Sequence, residues 1–475
     1  MYLFHKYFYL FLIAAVAISG ISCKKSYFDL SSNPNLVTTP SLSSLLSTVT
    51  HKTGIDNYTV GSTTSVYVQY LANPSASAAS DTYQVLDLTG TWDALYFAMG
   101  DINDMKKLAI AQGSSEYLGV ADVLYSYHIT LVADLWGDAP YSDAFNPNKL
   151  TVKYDSQQDL YKTSITLLDS AILELTKTTS IIKLLATNDL IHAGDRNKWI
   201  KTAYALKARL LNKVSKTSTY NPAAVLAAVT SSYTSNADDA GMASFQLRNN
   251  WASVAVSNAS LTLGGWLSEQ LIDQLNGITY GIFDPRIRKI TDPTITGTFI
   301  GTTNGAGNRP PGNNTVKDEN YIAVSSPWTS NTAPILIVTY AELKFIEAEG
   351  ALRSNDNARA YTAYLAAINA NMDKLQVPAG AERTAYLSSP IVAVGAANLT
   401  LALIFKEKYV ATYLNPEAWN DVRRNDYQYK DFTLPVNAAL PSFIRRIDYP
   451  IGERSKNGGN VPAVKPQTDK LWWDQ

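Results

Sequence analysis

The sequence predicts a mostly α-helical protein in which tetratricopeptide-like helix pairs stack into a superhelix and carry an irregular, loop-rich region. Apolar residues recur at helical spacing in several long segments, and alanine occupies many of the positions where such helices would touch. One long segment between them is rich in turn-forming residues instead. The spacings are irregular, so the likeness to tetratricopeptide proteins lies in the helix pairing and not in a regular repeat of about 34 residues.

Apolar stripes predict helices on both sides of the loop-rich segment. The stripes before it are Tyr117, Val120, Leu124, Tyr127 and Leu131; Tyr161, Ile165, Leu168, Ile172 and Leu175; and Trp199, Ala203, Leu206 and Leu210. The stripes after it are Ala341, Phe345, Ala348 and Leu352; Tyr361, Leu365, Ile368 and Met372; and Leu401, Ile404, Phe405 and Tyr409. A stripe of this kind is typical of a helix that packs one face against its neighbours.

Residues from about 215 to 334 break this pattern, because Gly, Asn, Thr and Pro dominate there and residues 301–314 are nearly all turn formers. We expect a loop-rich insertion within a single domain of residues 41–475. Loops on a rigid scaffold often hold binding residues, although a surface loop without function fits this composition equally. The stretch is not a phosphate-binding loop, since it lacks the Gly-Lys-Ser/Thr ending of that motif.

The first residues carry a targeting signal. His5 and Lys6 precede an apolar run at residues 7–18, which is the pattern of a signal-peptide core and is too short for a membrane span. Cys23 is the only cysteine of the chain and follows this core directly. We therefore expect residues 1–22 to be a signal peptide, Cys23 to be lipid-modified, and residues 23–40 to be an extended tether. An unmodified cysteine behind an ordinary cleavage site is the alternative.

Composition limits the function classes. The formal net charge is -1 and the sequence has no long basic run, which argues against nucleic-acid binding. Charged residues make up only 17%, whereas Tyr occurs 29 times. A Tyr ring can stack on the apolar face of a sugar while its hydroxyl forms hydrogen bonds, although half-buried packing between helices is the commoner role of a single Tyr.

Several segments together resemble the SusD/RagB nutrient-binding lipoproteins, in the shorter SusD-like branch. In chain order these segments are Trp136-Gly137-Asp138-Ala139-Pro140-Tyr141, Phe283-Asp284-Pro285-Arg286, Tyr340 to Glu349, Lys406-Glu407-Lys408-Tyr409, Glu417-Ala418-Trp419-Asn420-Asp421-Val422-Arg423-Arg424, Arg446-Ile447-Asp448-Tyr449-Pro450 and Trp472-Trp473-Asp474. The likeness also includes Gly20-Ile21-Ser22-Cys23, which is similar to a lipobox. Each motif alone is weak evidence, but their order along the chain is specific.

This resemblance implies a nutrient-binding protein at the bacterial outer membrane, facing the cell exterior. It also implies a TonB-dependent, SusC-like barrel as the partner that takes up the nutrient. The usual nutrient of such proteins is a glycan or oligosaccharide, and peptides are an alternative. Lys24 and Lys25 follow Cys23 where acidic residues often stand, so the orientation across the membrane stays open. The resemblance implies no cofactor.

The motif residues themselves are typical of architecture. Gly137 is suited to a positive φ at a helix end, and the adjacent Arg423 and Arg424 are expected to pair with carboxylates such as Glu417 or Glu407. Glutamates on the helix around residues 340–349 are expected to be solvated or paired.

Nothing in the sequence singles out catalytic residues. No pair of carboxylates stands out for glycoside hydrolysis, the four histidines form no metal-binding pattern, and a nucleophile elbow for serine chemistry is absent. We therefore expect a protein that is not an enzyme, and the sequence identifies no metal ligands, while binding of Ca²⁺ stays open. A surface glycan hydrolase and an adhesin or scaffold lipoprotein without a small ligand remain as alternatives.

Aromatic residues close to polar, loop-like segments are the predicted ligand contacts: Trp92, Tyr96, Tyr67, Tyr70 and Trp328. Such rings would stack on pyranose faces while nearby amides and carboxylates bind hydroxyl groups. For Trp92 and Tyr96 the competing role is packing in the core of a single helix.

Overall fold

Helices dominate the computed structural model, which describes residues 40–259, 265–308, 318–463 and 465–475. The predicted signal peptide of residues 1–22, Cys23, and the tether up to residue 39 lie outside the described residues. Residues Leu42–Gln475 form one compact unit. Within the described part of the chain, no helix combines the length and hydrophobicity needed to cross a bilayer.

The helices and strands of the first part of the chain are α1 (Leu42–Tyr67), β1 (Leu71–Ala72), α2 (Thr89–Ala111), α3 (Ser115–Trp136), α4 (Gln157–Thr176), α5 (Arg196–Lys213) and α6 (Pro222–Thr230). The middle part holds β2 (Ala240–Met242), α7 (Asn250–Ala259), β3 (Trp266–Leu267), α8 (Glu269–Asn276), α9 (Ile287–Ile290) and β4 (Ile335–Val338). The last part holds α10 (Tyr340–Arg353), α11 (Asn357–Lys374), α12 (Ala381–Ser388), α13 (Leu401–Ala411), α14 (Glu417–Arg424) and α15 (Ile451–Lys456). Short 3₁₀ helices lie at Asn236–Asp238, Ala396–Asn398 and Trp472–Asp474.

The long helices pack on one another in chain order. Each helix from α1 to α6 contacts the next, and α6 then contacts α10, which pairs with α11. All six helices predicted from apolar stripes are present as α3, α4, α5, α10, α11 and α13. The predicted mostly helical fold of tetratricopeptide-like pairs is confirmed.

The middle part is an insertion into this helical array, because α6 and α10 pack together although residues 231–339 separate them. Strands β2 and β4 pair antiparallel at its two ends, with Ala240 opposite Val338. The expected loop-rich insertion began at about residue 215, whereas α6 belongs to the helical array. Asn221 explains this helix start, since its side chain accepts a hydrogen bond from the Ala224 amide and Pro222 occupies the first turn.

The end of α3 follows the expectation from the sequence. The helix ends at Trp136, and Gly137 adopts a φ of 91°, which favours glycine. Asp138 then accepts a hydrogen bond of 2.8 Å from the amide of Gln157, the first residue of α4. This turn therefore joins two neighbouring helices of the array.

The ion pairs of Arg424 differ from the sequence expectation, which proposed Glu417 or Glu407 as partners. Its Nη1 lies 2.8 Å from Glu349 Oε1, and its Nη2 lies 2.7 Å from Asp421 Oδ1. Glu349 is 75 residues away along the chain. Such a partner depends on helix packing and cannot be read from local spacing.

Arg423 is stabilised mainly without a carboxylate. Its guanidinium lies 3.7 Å from the ring centroid of Trp419 and 4.8 Å from that of Trp473, where cation–π attraction acts. Glu417, one of the two carboxylates that the sequence suggested as partners, lies 2.9 Å from Lys213 Nζ instead. The motif arginines are therefore structural, as expected, although their partners were not predicted.

Candidate functional site

Three loop segments meet around Asp81, Asn304 and Val436, and the carboxylate of Asp81 connects the first two of them. It accepts hydrogen bonds of 2.6 Å from Asn304 Nδ2 and 2.6 Å from the Gly305 amide. Burial raises the pKa of Asp81, while these hydrogen bonds act in the opposite direction. The third segment joins through Val436, whose amide donates to the Asn304 carbonyl at 2.9 Å.

Strands β1 and β3 extend this junction. Leu71 lies opposite Leu267 and Ala72 opposite Trp266 in an antiparallel pair. Because β1 directly follows α1, the pairing holds the loop-rich region against the first helix of the array. Two cavities border this short ladder: one is lined by Leu71 and Ala72 of β1, and the other by Ser268, which directly follows β3.

The first cavity is a groove of about 270 Å³ between α1, β1 and α7. Its lining residues are Tyr58, Ser62, Thr63, Val66, Leu71, Ala72, Asn73, Ser80, Leu86, Trp251 and Val254. The ring of Tyr58 meets the Trp251 ring edge to face, with centroids 4.8 Å apart and an interplanar angle of 74°. Trp251 is only 3% exposed, whereas Tyr58 is half-buried. The indole thus fixes the orientation of the more accessible phenol ring.

Four polar groups in this groove make no hydrogen bond within the described residues: the Tyr58 hydroxyl, the Trp251 indole N–H, the Asn73 amide N–H₂ and the Ser80 hydroxyl. Burial raises the pKa of Tyr58, so its hydroxyl stays neutral and can both donate and accept. An apolar floor with a ring and unsatisfied hydrogen-bonding groups is the chemistry that a sugar requires, since sugars present apolar faces and hydroxyl edges. We name this site the Tyr58 groove.

The second cavity, also of about 270 Å³, is more polar and has no aromatic lining among the described residues. Its lining residues are Gln69, Ser268, Glu269, Gln270, Asp273, Ile278, Thr279, Thr303, Asn304, Asp431, Thr433, Leu434, Pro435 and Val436. Much of its polar capacity is used internally; for example, Gln69 Nε2 donates to the Thr433 carbonyl at 2.7 Å. Across the described part of the chain, no group of His, Cys, Asp and Glu side chains is placed to hold a metal ion. The Tyr58 groove is therefore the better candidate for sugar binding.

The five aromatic residues predicted as ligand contacts lie elsewhere. Tyr67, Tyr70, Trp92 and Trp328 are 2%, 0%, 5% and 8% exposed, and Tyr96 is half-buried. Trp92 and Tyr96 bring their ring centroids within 4.8 Å of each other on α2. None of the five lines the Tyr58 groove. Their role in binding stays a prediction, and their burial favours the alternative of core packing.

Hydrogen bonds explain why these side chains face inward. The Tyr96 hydroxyl donates to the Pro140 carbonyl at 2.8 Å, and the Trp328 indole donates to the Tyr413 carbonyl at 3.0 Å. The Tyr70 hydroxyl donates to the backbone of α13. Trp328 nevertheless lies near the candidate site, since it and Trp251 line the same small void of about 20 Å³.

The sequence criterion missed Tyr58 and Trp251, although it applies to both. Trp251 follows two asparagines within the polar insertion, and Tyr58 follows Asp56 and Asn57. The same kind of pattern selected Trp328. What the sequence lacks is any indication that α7 folds back onto α1, the contact that forms the groove.

Comparisons with known proteins agree on one family and one fold. The profile of a SusD-like family described as "Starch-binding associating with outer membrane" matches residues 34–450. A SusD/RagB family protein from Bacteroides thetaiotaomicron is 24% identical, with a TM-score of 0.72, over 92% of this chain and 99% of that one. A chitin-binding SusD homologue from Flavobacterium johnsoniae is 20% identical, with a TM-score of 0.76, over 90% and 98%. None of the curated proteins matches the chain in sequence.

Proposed function

Since this chain belongs to the SusD-like family, we propose that it captures a glycan or oligosaccharide at the outer-membrane surface. We propose further that it acts as a lipoprotein and delivers this nutrient to a TonB-dependent, SusC-like barrel. The family description names starch binding, and one structural relative binds chitin. These properties of relatives support a carbohydrate ligand without identifying the sugar.

The Tyr58 groove is the observation that carries the proposal. A half-buried phenol ring supported by an indole offers a stacking surface, and the side-chain N–H₂ of Asn73 and the hydroxyl of Ser80 have no partner in the described residues. A sugar hydroxyl would satisfy these groups. The cavity of about 270 Å³ is small for a drug-sized ligand. The groove therefore fits one or two sugar units of a longer chain, with modest affinity that allows release.

The proposed lipid anchor and the proposed transporter partner are supported by different observations. Cys23 behind a signal-peptide core supports lipid attachment, and family membership supports association with the outer membrane. Delivery to a barrel follows from the resemblance of the chain to SusD-like proteins. Peptides stay an alternative ligand class.

A calorimetric binding screen tests the proposal. Residues 26–475 are titrated with starch and chitin oligosaccharides and with peptides, and the same mixtures are assayed for cleavage. We expect a neutral oligosaccharide to bind without being cleaved. Cleavage would identify a hydrolase instead, and silence across the panel would favour a scaffold protein.

Two variants locate the site. Tyr58→Ala removes the stacking ring, and we expect it to weaken oligosaccharide binding by about 5- to 30-fold, the equivalent of about 1 to 2 kcal/mol. Tyr361→Ala is the matched control, because Tyr361 is also half-buried on a helix but lies on α11, outside the groove. Equal affinities of the two variants would remove the Tyr58 groove from the proposal.

A further inference from the structure

A third cavity of about 270 Å³ lies at the C-terminal end of α3, beside the first turn of α4. Its lining residues are Gly137, Asp138, Ser156, Gln157, Gln158, Arg446, Tyr449, Pro462, Ala463, Lys465, Lys470, Leu471, Trp472 and Gln475. None of them lines the Tyr58 groove. The proposed function therefore makes no use of this cavity.

Arg446 is the unusual group here. It is 7% exposed; its Nη2 donates to the Trp136 carbonyl at 2.9 Å, and its side chain also hydrogen-bonds to the Tyr449 hydroxyl. Among the described residues it forms no ion pair. A buried guanidinium has five N–H donors and strongly favours a carboxylate or phosphate partner. Arg446 lines the cavity.

The other buried arginines of the described chain show how differently such charges are usually held. Arg209, Arg286 and Arg424 each contact a carboxylate. Arg423 lies between two indole rings and donates to several backbone carbonyls. Arg446 has neither arrangement among the described residues: its guanidinium contacts only neutral groups, the Trp136 carbonyl and the Tyr449 hydroxyl, and it lines an open cavity.

The neighbouring groups favour an anion with hydroxyl groups. Gln158 and Lys465 line the cavity, and their side chains make no hydrogen bond within the described residues. Asp138 brings the one carboxylate side chain of the lining, but its Oδ1 accepts from the Gln157 amide at 2.8 Å and so faces the helix start. Lys470 adds a second cation, although it lies 3.2 Å from Asp426.

Aromatic side chains complete the wall. Trp472 is half-buried and meets the Tyr161 ring edge to face at 5.7 Å, while Tyr449 donates its hydroxyl hydrogen to the Asp138 carbonyl at 2.8 Å. An aromatic wall beside polar donors suits a sugar ring better than a bare inorganic anion. The volume suits one ring.

We propose that this cavity binds a carboxylate-bearing sugar unit, such as a hexuronic acid, through Arg446. The carboxylate accepts paired hydrogen bonds from the guanidinium, Lys465 adds charge, and the Gln158 amide binds ring hydroxyls. This inference rests on the proposed function for its ligand class, sugar, but on a separate site. A protein with both sites would hold a glycan that carries neutral and acidic units.

Calorimetric titration with glucuronate, with glucose as the neutral counterpart and acetate as the bare carboxylate, tests the inference. We expect glucuronate to bind at least about 10-fold more tightly than either, and its binding to weaken as salt rises. A glucuronate-containing oligosaccharide shows whether a polymer unit reaches the cavity as well as the free acid. Equal binding of glucose would refute carboxylate recognition, and equal binding of acetate would refute sugar recognition.

Variants assign the site. Arg446→Gln should weaken glucuronate binding by about 10- to 100-fold, and the surface variant Lys465→Gln, which leaves the interior intact, by about 3-fold. Lys456→Gln is the control, because it removes an exposed charge that does not line the cavity. Unchanged glucuronate binding in Arg446→Gln and Lys465→Gln would overturn the assignment.

The two proposals fail separately. Tyr58→Ala should leave glucuronate binding unchanged. If Tyr58→Ala abolished glucuronate binding, the acid would lie in the Tyr58 groove, and the second site would be overturned. If glucuronate does not bind while neutral oligosaccharides do, the acidic site is refuted and the proposed function stands.

Discussion

Replacing Arg424 with Met tests whether the family motif around residues 417–424 is structural. The guanidinium binds Glu349 with both nitrogens, at 2.8 and 3.0 Å, and Asp421 at 2.7 Å. All three side chains are at most 4% exposed. Burial is the largest single influence and acts to raise the pKa of Glu349, but the charge and hydrogen bonds of Arg424, together with the charges of Arg353 and Lys408, outweigh it and hold this pKa well below its usual range. The carboxylate is therefore ionised, and removing the arginine leaves a buried charge.

The expected cost follows from the partners that remain. Removing one member of a buried ion pair costs about 3–5 kcal/mol. Glu349 keeps Arg353 Nε at 3.0 Å and Asn212 Nδ2 at 2.7 Å, and Asp421 keeps Lys408 Nζ at 2.7 Å. We therefore expect Arg424→Met to lower the free energy of unfolding by about 3 kcal/mol, at the lower end of that range. Adding Glu349→Leu should cost less than the sum of the two single changes, because the orphaned charge is removed as well.

An exposed ion pair provides the matched control. Arg288 contacts Glu382 with Nε at 3.0 Å and Nη2 at 2.9 Å, the same two-point geometry, but both side chains are 50% exposed. Arg288→Met should cost at most about 1 kcal/mol, because water solvates the remaining charge. Urea unfolding followed by circular dichroism measures all variants at pH 7. Equal losses for Arg424→Met and Arg288→Met would refute the argument that burial decides the cost.

Two further predictions concern a histidine and the anchor. Burial lowers the pKa of His192 from 6.5 to about 4. The neutral imidazole therefore contributes fully to stability above pH 6.5, and up to about 3 kcal/mol of this stability is lost as the pH falls toward 4. Urea unfolding of His192→Gln should show a smaller loss of stability over this pH range than the unaltered protein, and identical pH profiles of the two would contradict the prediction. Cys23→Ser should abolish palmitate incorporation and move the protein from the outer-membrane fraction to the soluble fraction, whereas unchanged labelling and fractionation would contradict lipid attachment at this residue.

The sequence predicted those helices in which aliphatic and aromatic residues recur at helical spacing. Helix α1 was not predicted, because its buried face contains Thr50, Thr53, Asp56 and Asn57 as well as aliphatic residues. These polar side chains are satisfied inside: Thr50 and Thr53 donate to carbonyls one turn earlier, and Asn57 Nδ2 donates to the Leu336 carbonyl at 3.0 Å. A helix buried through internal hydrogen bonds gives no stripe, so periodicity cannot detect it.

The candidate sites were harder to predict for a related reason. Aromatic residues near polar segments were a sound class to choose, but the sequence does not say which rings are covered by the insertion and which border a cavity. Trp92 is enclosed by Trp136 and Tyr449, both more than 40 residues away along the chain. Tyr58 stays half-buried because, of the aromatic rings of α7, only that of Trp251 packs against it. In a superhelix with an inserted loop region, exposure is decided by contacts between distant segments, and only the fold supplies them.

The same reasoning separates motif from site in this family. The motifs that identify the family contribute Arg286, Arg423 and Arg424 to the interior, where Arg286 and Arg424 pair with carboxylates and Arg423 lies against two indole rings. Tyr58 and Trp251 belong to no motif, and Arg446, which does, lacks a carboxylate partner in the described residues. Residues that hold the array together are constrained by every helix they touch, whereas groove residues are constrained only by the ligand. A ligand class that differs between relatives with one fold is the expected consequence, and direct binding measurements on this chain are the means to identify its own.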